Sequence, residues 1–275
     1  MKKHTLYVSD LDGTLLNSQS VISDSSREMI NRMIADDGID FSIATARTPA
    51  TVVQLMEGID YRLPLIVMTG AAMWHDGLVN QNYLRADEVE CLATLCRKYD
   101  VRPFFYTYNG KIIEAYHLPT TDDYEDRFVA QRCHSPHKRF VFADTMPANK
   151  KEHTMLVFAA ADYDRMGHVY KEASQQLKCS ITYYRDIFNH NVGFLEVMAE
   201  GVSKARAVER LKEQTGAERV VVFGDSPNDL SMRTVADVFV APSNASEEVL
   251  RVADEVTVSN NDDCVARWIA QDIKK

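Results

Sequence analysis

The sequence has no Cys-x-x-Cys motif, no surplus of positive charge and no long apolar run, and each absence excludes a class of protein. Its 275 residues include five cysteines, an odd number without any Cys-x-x-Cys pair. Such a set is typical of reduced thiols in the cytoplasm and not of a disulfide framework or a zinc site. We therefore expect a cytoplasmic protein with free thiols at Cys91, Cys96, Cys133, Cys179 and Cys264.

Positive charge is scarce, since 31 Lys and Arg stand against 40 Asp and Glu and the formal net charge is −9. A nucleic acid would need a basic surface to offset its own charge, so we expect no nucleic-acid partner. The apolar stretch Leu6-Tyr7-Val8 is too short for a signal peptide. No later run approaches the ~18 apolar residues of a membrane span, so we expect no membrane partner. The sequence does not indicate an oligomeric state.

Short apolar strands and helical patterns alternate at both ends of the chain. Each strand ends in small polar or charged residues, as in Ser9-Asp10 and Gly224-Asp225. This alternation predicts an α/β fold, with a Rossmann-like parallel sheet and helices on both of its faces. The ligand crevice of such a sheet lies at the carboxyl ends of its strands, where these polar clusters would meet. The predicted strands are residues 5–8, 41–44, 65–68, 220–223 and 238–241.

The middle of the chain has a different pattern. Asn109-Gly110 lies between two strand-forming runs, which is the strongest short-range signal for a hairpin in the sequence. Further strands and helices, one of them at about residues 122–132, predict an α+β unit on an antiparallel sheet, and residues 133–139 are predicted to form a loop. We expect this unit to be inserted into the first domain. The expected boundaries are residues 82–189 for the insert, and 1–81 with 190–275 for the discontinuous core.

Four carboxylates follow two of the predicted strands. Asp10 and Asp12 come after the first strand, and Asp225 and Asp229 follow the strand at residues 220–223. If these strands are neighbours, the acidic groups meet and repel one another unless a cation neutralises them. An all-oxygen cluster fits a hard ion such as Mg²⁺. A single Asp after a strand is as often a helix cap, but four of them beside two glycine-containing turns favour a metal site.

Four short motifs, in order along the chain, resemble those of the haloacid dehalogenase (HAD) superfamily. They are Asp10-Leu-Asp-Gly-Thr-Leu-Leu16, Thr45-Ala-Arg47, Leu195-Glu-Val-Met-Ala-Glu-Gly-Val-Ser-Lys204 and Gly224-Asp-Ser-Pro-Asn-Asp-Leu-Ser-Met232. The tail, from Ala241-Pro-Ser-Asn-Ala245 through residues 256–263, resembles the Cof-type branch. That branch carries its cap domain between the second and third motifs. The resemblance therefore implies a HAD-like core with an inserted cap that selects the substrate.

The resemblance also implies a phosphatase and a role for each motif residue. Asp10 would attack phosphorus as the nucleophile, and Asp12 would act as general acid and base around an aspartyl-phosphate intermediate. The implied cofactor is Mg²⁺, and the implied substrate is a small phosphorylated metabolite, by analogy with the Cof-type branch a sugar phosphate. Flavin-related and nucleotide phosphates stay open as substrates. The expected metal ligands are the Asp10 side chain, the Asp12 backbone carbonyl, and the Asp225 and Asp229 carboxylates. Asp229 would bind the metal directly or lie in its second coordination shell. The expected phosphate-binding residues are Thr45, Lys204 and Asn228.

Three positions depart from the family pattern. Ala46 and Cys264 stand where glycine is usual or common, and Thr69 stands where asparagine is usual. The change at Thr69 puts one substrate contact of the family in doubt, although a threonine hydroxyl can still donate a hydrogen bond. Arg47 and Arg185 are weak candidates for the site, because surface ion pairing explains either one equally well.

Two other functions stay open on the sequence. A phosphomutase or phosphotransferase would pass the phosphoryl group to a second substrate instead of water. A sugar-phosphate-binding module would keep the fold without catalysis, although such modules tend to lose Asp10, Asp12 or Lys204, which are all present. The insert is rich in aromatic residues that can stack on a sugar or another ring, and half of them are expected in its core. They are Phe104, Phe105, Tyr106, Tyr108, Tyr116, Tyr183, Tyr184 and Phe188.

Overall fold

The computed structural model describes residues 3–119, 123–186 and 189–275. The start of the helix expected at residues 122–132, and Phe188, lie outside the described residues. Two compact units divide the chain: a discontinuous unit of Met1–Val79 with Ser203–Lys275, and an insert of Asn80–Val202. Within the described part of the chain, no helix is long and apolar enough to cross a membrane.

The elements are numbered in chain order. The strands are β1 (Thr5–Ser9), β2 (Asp40–Ile43), β3 (Leu65–Val67), β4 (Ala72–Trp74), β5 (Leu78–Val79), β6 (Phe104–Tyr108), β7 (Ile113–His117), β8 (Lys138–Phe142), β9 (Thr154–Asp162), β10 (Ser180–Arg185), β11 (Val192–Met198), β12 (Arg219–Phe223), β13 (Val238–Pro242) and β14 (Glu255–Thr257). The α-helices are α1 (Asp24–Asp36), α2 (Pro49–Leu55), α3 (Ala86–Lys98), α4 (Asp123–Ala130), α5 (Ala148–Lys151), α6 (Tyr163–Gln176), α7 (Lys204–Thr215), α8 (Leu230–Arg233), α9 (Glu247–Val252) and α10 (Cys264–Asp272).

The discontinuous unit is built on a parallel sheet with the strand order β14-β13-β12-β1-β2. The apolar residues of β1 and β12 are almost completely buried, as expected for strands covered on both faces. Ser9 lies opposite Phe223 on one side and Ile43 on the other. The carboxyl ends of β1, β2 and β12 therefore lie side by side at the same end of the parallel sheet. This parallel sheet confirms the predicted α/β class.

The strand expected at residues 65–68 does not extend the parallel sheet. Leu65–Val67 forms an antiparallel sheet with β4 and β5, in the order β3-β4-β5. A single parallel bridge between Ala44 and Ile66 joins it to the end of β2. The chain turns back at once because Met68, Thr69 and Gly70 all have positive φ, of 50°, 55° and 94°.

The insert contains a six-stranded sheet with the order β10-β11-β9-β6-β7-β8. Asn109 and Gly110 lie in the turn of the β6–β7 hairpin, as the sequence predicts. The last pair differs from the expected antiparallel pattern, because β7 and β8 run parallel. Parallel neighbours need a crossover connection, and α4 lies in the segment that joins them. Lys138–Phe142 is also a strand that overlaps the loop predicted at residues 133–139.

The second boundary of the insert lies later than the sequence analysis placed it. Residues 190–202 belong to the insert, because β11 is the antiparallel partner of both β9 and β10. Its buried residues Leu195 and Val197 pack in the same apolar cluster as Val157 and Ala159 of β9. The chain returns to the discontinuous unit only at Ser203, immediately before α7.

Lys138 explains why β8 does not show a strand pattern in the sequence. This lysine is 4% exposed. Its Nζ lies 4.7 Å from the centroid of the Phe140 ring and 5.1 Å from that of Tyr106. Burial, with a smaller contribution from the positive charge of Arg132, lowers the pKa of Lys138 to about 7. A charged residue at a core position of β8 breaks the apolar alternation that predicts strands.

Replacing Lys138 by methionine should stabilise the protein in a pH-dependent way. Its folded pKa lies below the ordinary value of 10.5, so the unfolded chain binds more protons between pH 7 and 10.5. The cost of burying the amine is therefore greatest at pH 7 and disappears as the pH rises through 10.5. We expect Lys138→Met to raise the free energy of unfolding by about 1–3 kcal/mol at pH 7 and by less at pH 10.

Urea unfolding at pH 7 and pH 10 measures this difference. Lys111→Met is the matched control, because Lys111 is exposed in the β6–β7 turn and should give no gain at either pH. An equal gain for Lys138→Met at both pH values would contradict the pKa shift.

Candidate active site

Five of the residues that the sequence predicts for the site lie at one edge of the parallel sheet. Asp10 directly follows β1, and its backbone N–H donates to the carbonyl of Phe223 at the end of β12, at 2.9 Å. Asp225 and Asp229 follow β12, and Thr45 follows β2. Lys204 is the first residue of α7, whose N-cap Ser203 accepts a hydrogen bond from the backbone N–H of Arg206. All of these elements belong to the discontinuous unit.

Lys204 joins two of these carboxylates. Its Nζ donates to Asp10 Oδ1 at 2.6 Å and to Asp229 Oδ1 at 2.7 Å. The side chains of Lys204 and Asp229 are 0% exposed, and that of Asp10 is 7% exposed. Within the described residues, no hydrogen bond reaches the other oxygen of Asp10, Oδ2. One oxygen of Asp10 is thus held by the ammonium, and the other remains available.

The second oxygen of Asp229 shapes the loop after β12. Asp229 Oδ2 accepts hydrogen bonds from the backbone N–H groups of Asp225 and Ser226, both at 3.1 Å. This close packing needs Gly224, because a Cβ there would lie 2.5 Å from the Cβ of Asp229. Asp229 therefore fixes both the ammonium of Lys204 and the position of Asp225.

Three carboxylates form a candidate metal centre. One oxygen from each of Asp10, Asp225 and Asp229 lies within 4.8 Å of the others. Burial, followed by the charge of Asp229, raises the pKa of Asp225 to about 6. Burial also raises the pKa of Asp10 above its ordinary value, although Lys204 acts in the opposite direction. The carboxylates outnumber the single ammonium, so the cluster carries an excess negative charge that a hard cation with oxygen ligands would neutralise.

Asp12 is held by a different partner. Its carboxylate accepts two hydrogen bonds from Arg47, from Nε to Oδ2 and from Nη2 to Oδ1, both at 2.7 Å. The hydrogen bonding of the Arg47 guanidinium to the Asp12 carboxylate is the main cause of the raised pKa of Arg47. Among the described residues, the Asp12 side chain is not part of the carboxylate trio, so three of the four carboxylates that the sequence led us to expect together lie together. The role of its backbone carbonyl as a metal ligand stays a prediction. Arg47 was a weak candidate in the sequence, and the structure places it on Asp12.

The two remaining predicted phosphate-binding residues differ in their surroundings. Thr45 is buried, and its Oγ1 accepts a hydrogen bond from the backbone N–H of Arg47 at 3.1 Å. Asn228 is exposed, and its Oδ1 accepts a hydrogen bond from Ser226 Oγ at 2.6 Å. Among the described residues, no hydrogen bond connects Asn228 to Lys204 or Asp10.

Thr14 is a site residue that the sequence analysis did not single out. Its Oγ1 donates to Asp225 Oδ1 at 3.2 Å and orients that carboxylate. The first motif contains Thr14, but the sequence alone does not show that this hydroxyl reaches the loop after β12.

Thr69 occupies a strained backbone position. Its φ of 55° and ψ of 24° lie in the left-handed region, which asparagine tolerates and a β-branched residue rarely adopts. The backbone N–H of Thr69 donates to the carbonyl of Thr45 at 3.0 Å. The next residue, Gly70, packs against α7, since a Cβ there would lie 2.4 Å from the carbonyl oxygen of Ser203. The asparagine that the family usually has here thus fits the observed conformation better than threonine does.

Comparison with known proteins identifies the family. The model of the haloacid dehalogenase-like hydrolases matches residues 7–269, so the chain belongs to that family. A relative is the 5-amino-6-(5-phospho-D-ribitylamino)uracil phosphatase YcsE of Bacillus subtilis (strain 168). It is 29% identical over 94% of this chain and 92% of its own length. A second phosphatase of the same name and organism, YwtE, is 28% identical over 95% of this chain and 96% of its own length.

Solved structures of the same family share this fold. A haloacid dehalogenase-like hydrolase from Bacteroides thetaiotaomicron superposes with a TM-score of 0.79 and 27% identity. The match covers 98% of this chain and 99% of that one. The family, the HAD-like fold and the enzyme class that the motifs implied are confirmed: the chain is a phosphatase of the haloacid dehalogenase-like hydrolase family.

Gly13 provides a test of how the site is built. A Cβ at Gly13 would lie 2.4 Å from Asp225 Oδ2, and Gly13 has a φ of +77°. Gly38 has a similar φ of +64°, but nothing lies within 4 Å of its Cβ position. Gly13→Ala and Gly38→Ala should therefore both lose about 1–2 kcal/mol of unfolding free energy from backbone strain.

Only the Gly13 variant should lose activity. We expect its kcat/KM to fall by about 100-fold, because the added methyl displaces the Asp225 carboxylate. Gly38→Ala should keep the parental kcat/KM. If both variants retained full activity, the close approach of the Gly13 turn to Asp225 would have no part in catalysis.

Proposed function

We propose that this phosphatase is Mg²⁺-dependent and hydrolyses a small phosphorylated metabolite through a phosphoryl group carried on Asp10. The observation that supports this most strongly is the buried contact of Lys204 with Asp10 and Asp229. A buried carboxylate with one oxygen fixed and the other available is suited to nucleophilic attack. Its neighbours are those that a phosphoryl transfer needs: a cation, further carboxylates and hydrogen-bond donors.

Asp10 is the proposed nucleophile. Lys204 holds Oδ1 at 2.6 Å, which orients the carboxylate and leaves Oδ2 to attack phosphorus. The two carboxylates around Lys204 raise its pKa, against the effect of burial, so the ammonium stays charged. This charge offsets part of the repulsion between Asp10 and an approaching phosphate. The covalent intermediate splits one difficult displacement into two easier ones.

Asp10, Asp225 and Asp229 are the proposed metal-binding carboxylates, with the backbone carbonyl of Asp12. When bound, Mg²⁺ neutralises the negative charge of the site and polarises the phosphoryl oxygens. Asp229 already accepts two backbone N–H groups and the Lys204 ammonium. Among the described residues, Thr14 is the side chain that donates a hydrogen bond to the Asp225 carboxylate. Asp225 is therefore the carboxylate whose charge is least compensated by the protein.

Asp12 is the proposed proton donor and acceptor. As Asp10 attacks, the bond from phosphorus to the leaving oxygen breaks, and the Asp12 carboxyl gives that oxygen its proton. The Asp12 carboxylate then takes a proton from the water that attacks the phosphorylated Asp10. This second step releases inorganic phosphate and restores both carboxyl groups to their starting states.

Thr45 and Asn228 are the proposed phosphate-binding donors beside Lys204. The Thr45 oxygen accepts from the backbone of Arg47, which leaves its hydroxyl hydrogen to donate to a phosphoryl oxygen. The Asn228 oxygen accepts from Ser226, which leaves its amide hydrogens to donate. Both side chains are thus oriented by the protein so that their donors are available.

We propose that the substrate is the phosphate ester of a sugar or of a sugar-alcohol chain, and not a nucleotide. The Cof-type motifs support a sugar phosphate. The relatives YcsE and YwtE support a ribityl phosphate, since their names specify 5-amino-6-(5-phospho-D-ribitylamino)uracil. Both compounds carry a polyhydroxylated chain that ends in a phosphomonoester. A phosphomutase or phosphotransferase would form the same intermediate, whereas a non-catalytic binding module would form none.

Replacing Asp10 tests the chemistry directly. We expect Asp10→Asn to lower kcat/KM for p-nitrophenyl phosphate by at least ~10³-fold, as loss of a nucleophile does in other enzymes. EDTA should abolish activity of the parent, and added Mg²⁺ should restore it. Asp36→Asn, an exposed change at the end of α1, is the control and should leave the rate unchanged. Full activity of Asp10→Asn, or activity that survives EDTA, would refute the nucleophile or the metal assignment respectively.

A substrate panel tests the leaving group. It should contain 5-amino-6-(5-phospho-D-ribitylamino)uracil, a hexose 6-phosphate and a nucleoside 5′-monophosphate. We expect kcat/KM for one of the first two compounds to exceed that for the nucleotide by at least about 10-fold. Stoichiometric release of inorganic phosphate separates hydrolysis from transfer to a second substrate. A preference for the nucleotide would overturn the proposed substrate class but not the proposed chemistry.

A further inference from the structure

The ion pair between Arg47 and Asp12 is bidentate, a geometry that isolated surface ion pairs rarely have. Both oxygens of the Asp12 carboxylate accept a hydrogen bond at 2.7 Å, one from Nε and one from Nη2. The planar guanidinium and the planar carboxylate thus meet as two parallel forks, the arrangement that is strongest and most directional for this pair. A lysine cannot reproduce it, because an ammonium is a point charge on a flexible stem.

The backbone of Arg47 is fixed on both sides. Its N–H donates to Thr45 Oγ1 at 3.1 Å, and its carbonyl accepts from the backbone N–H of Met68 at 2.9 Å. These bonds tie Arg47 to the loop after β2 and to the turn after β3. The guanidinium therefore projects from a fixed base, and its side chain is only 31% exposed.

Asp12, by contrast, has little else to hold it. Its side chain is 52% exposed, and the following residue is Gly13, which turns the chain with positive φ. Among the described residues, Arg47 is the hydrogen-bond donor to this carboxylate. An exposed aspartate without such a donor would sample several rotamers. Proton transfer to a leaving oxygen requires a carboxyl group within hydrogen-bond reach, so the orientation of Asp12 limits its efficiency.

We infer that Arg47 is a positioning residue of the phosphatase reaction. It keeps a hydrogen bond to one oxygen of the protonated Asp12 carboxyl, so that the other oxygen, which carries the proton, is oriented toward the leaving group. This inference rests on the proposed role of Asp12 and extends it to a residue outside the carboxylate cluster. Arg47 acts through Asp12, so its importance depends on how much the leaving oxygen needs a proton. An alkyl phosphate expels a strongly basic alkoxide and needs the proton, whereas p-nitrophenolate is stable enough to leave without it.

The experiment compares Arg47→Met and Arg47→Lys on two substrates. With a hexose 6-phosphate we expect kcat/KM to fall by about 10- to 100-fold, since small misplacements of a reacting group cost up to about 10². With p-nitrophenyl phosphate we expect kcat/KM to change by less than about 3-fold. The parameter kcat/KM reports only the step that forms the intermediate, and p-nitrophenolate leaves in that step without a proton. Arg47→Lys should resemble Arg47→Met, because the charge alone cannot orient the carboxyl.

A double-mutant cycle with Asp12→Asn isolates the route of the effect. If Arg47 acts through Asp12, Arg47→Met should cause no further loss on the hexose phosphate in the Asp12→Asn background. Arg27→Met is the matched control. Arg27 has a similar side-chain exposure of 29% and an ion pair with Asp24, and its loss should leave both substrates unaffected. Thermal unfolding of each variant checks that it is folded.

The outcomes separate failure of this inference from failure of the proposed function. Equal losses on both substrates, or losses that multiply in the Asp12→Asn background, would show that Arg47 acts on the phosphate itself and would overturn the inference. Rescue by Arg47→Lys would overturn it as well. Full activity of Asp12→Asn on the hexose phosphate would instead remove the proposed role of Asp12, and this inference with it.

Discussion

The buried contact between Lys204 and the carboxylates of Asp10 and Asp229 is the interaction on which the rest of the site depends. A charge in a protein interior is costly unless partners of opposite sign surround it, and removal of one partner leaves the others uncompensated. Here one ammonium reaches two carboxylates at 2.6 and 2.7 Å without any exposed surface of its own. The same contact therefore stabilises the structure and orients the proposed nucleophile.

The fold brings these three residues together from distant parts of the sequence. Parallel pairing of β1 with β12 places Asp10 beside the loop that carries Asp229. Ser203 is the N-cap of α7, so Lys204 is the first residue of the helix and lies in its first turn. The close packing of Gly70 against Ser203 sets the position of that turn. Because both flanks of the insert, Val79 and Ser203, belong to the same unit, the site is assembled within one discontinuous domain.

Much of this could be predicted from the sequence, because strands followed by polar clusters in a parallel sheet meet at one edge. That rule brings Asp10, Asp225 and Asp229 together as observed, but it also predicts the Asp12 carboxylate among them, and that side chain pairs with Arg47 instead. The Arg47–Asp12 pair could not be predicted, since it depends on side-chain rotamers in two separate loops. The start of β8 could not be predicted from the sequence, because the buried Lys138 breaks the apolar pattern that indicates a strand. The boundary near residue 190 was placed too early, since β11 pairs with strands of the insert.

The central claim is that a phosphoryl group is carried on Asp10, and direct detection of that group tests it. The enzyme is mixed with substrate and Mg²⁺, quenched in acid during turnover, digested, and its peptides are weighed by mass spectrometry. The account predicts one added phosphoryl group on the peptide that contains Asp10, its absence from Asp10→Asn, and its accumulation in Asp12→Asn with p-nitrophenyl phosphate. A phosphoryl group on any other residue, or none in Asp12→Asn while substrate is still consumed, would contradict the account.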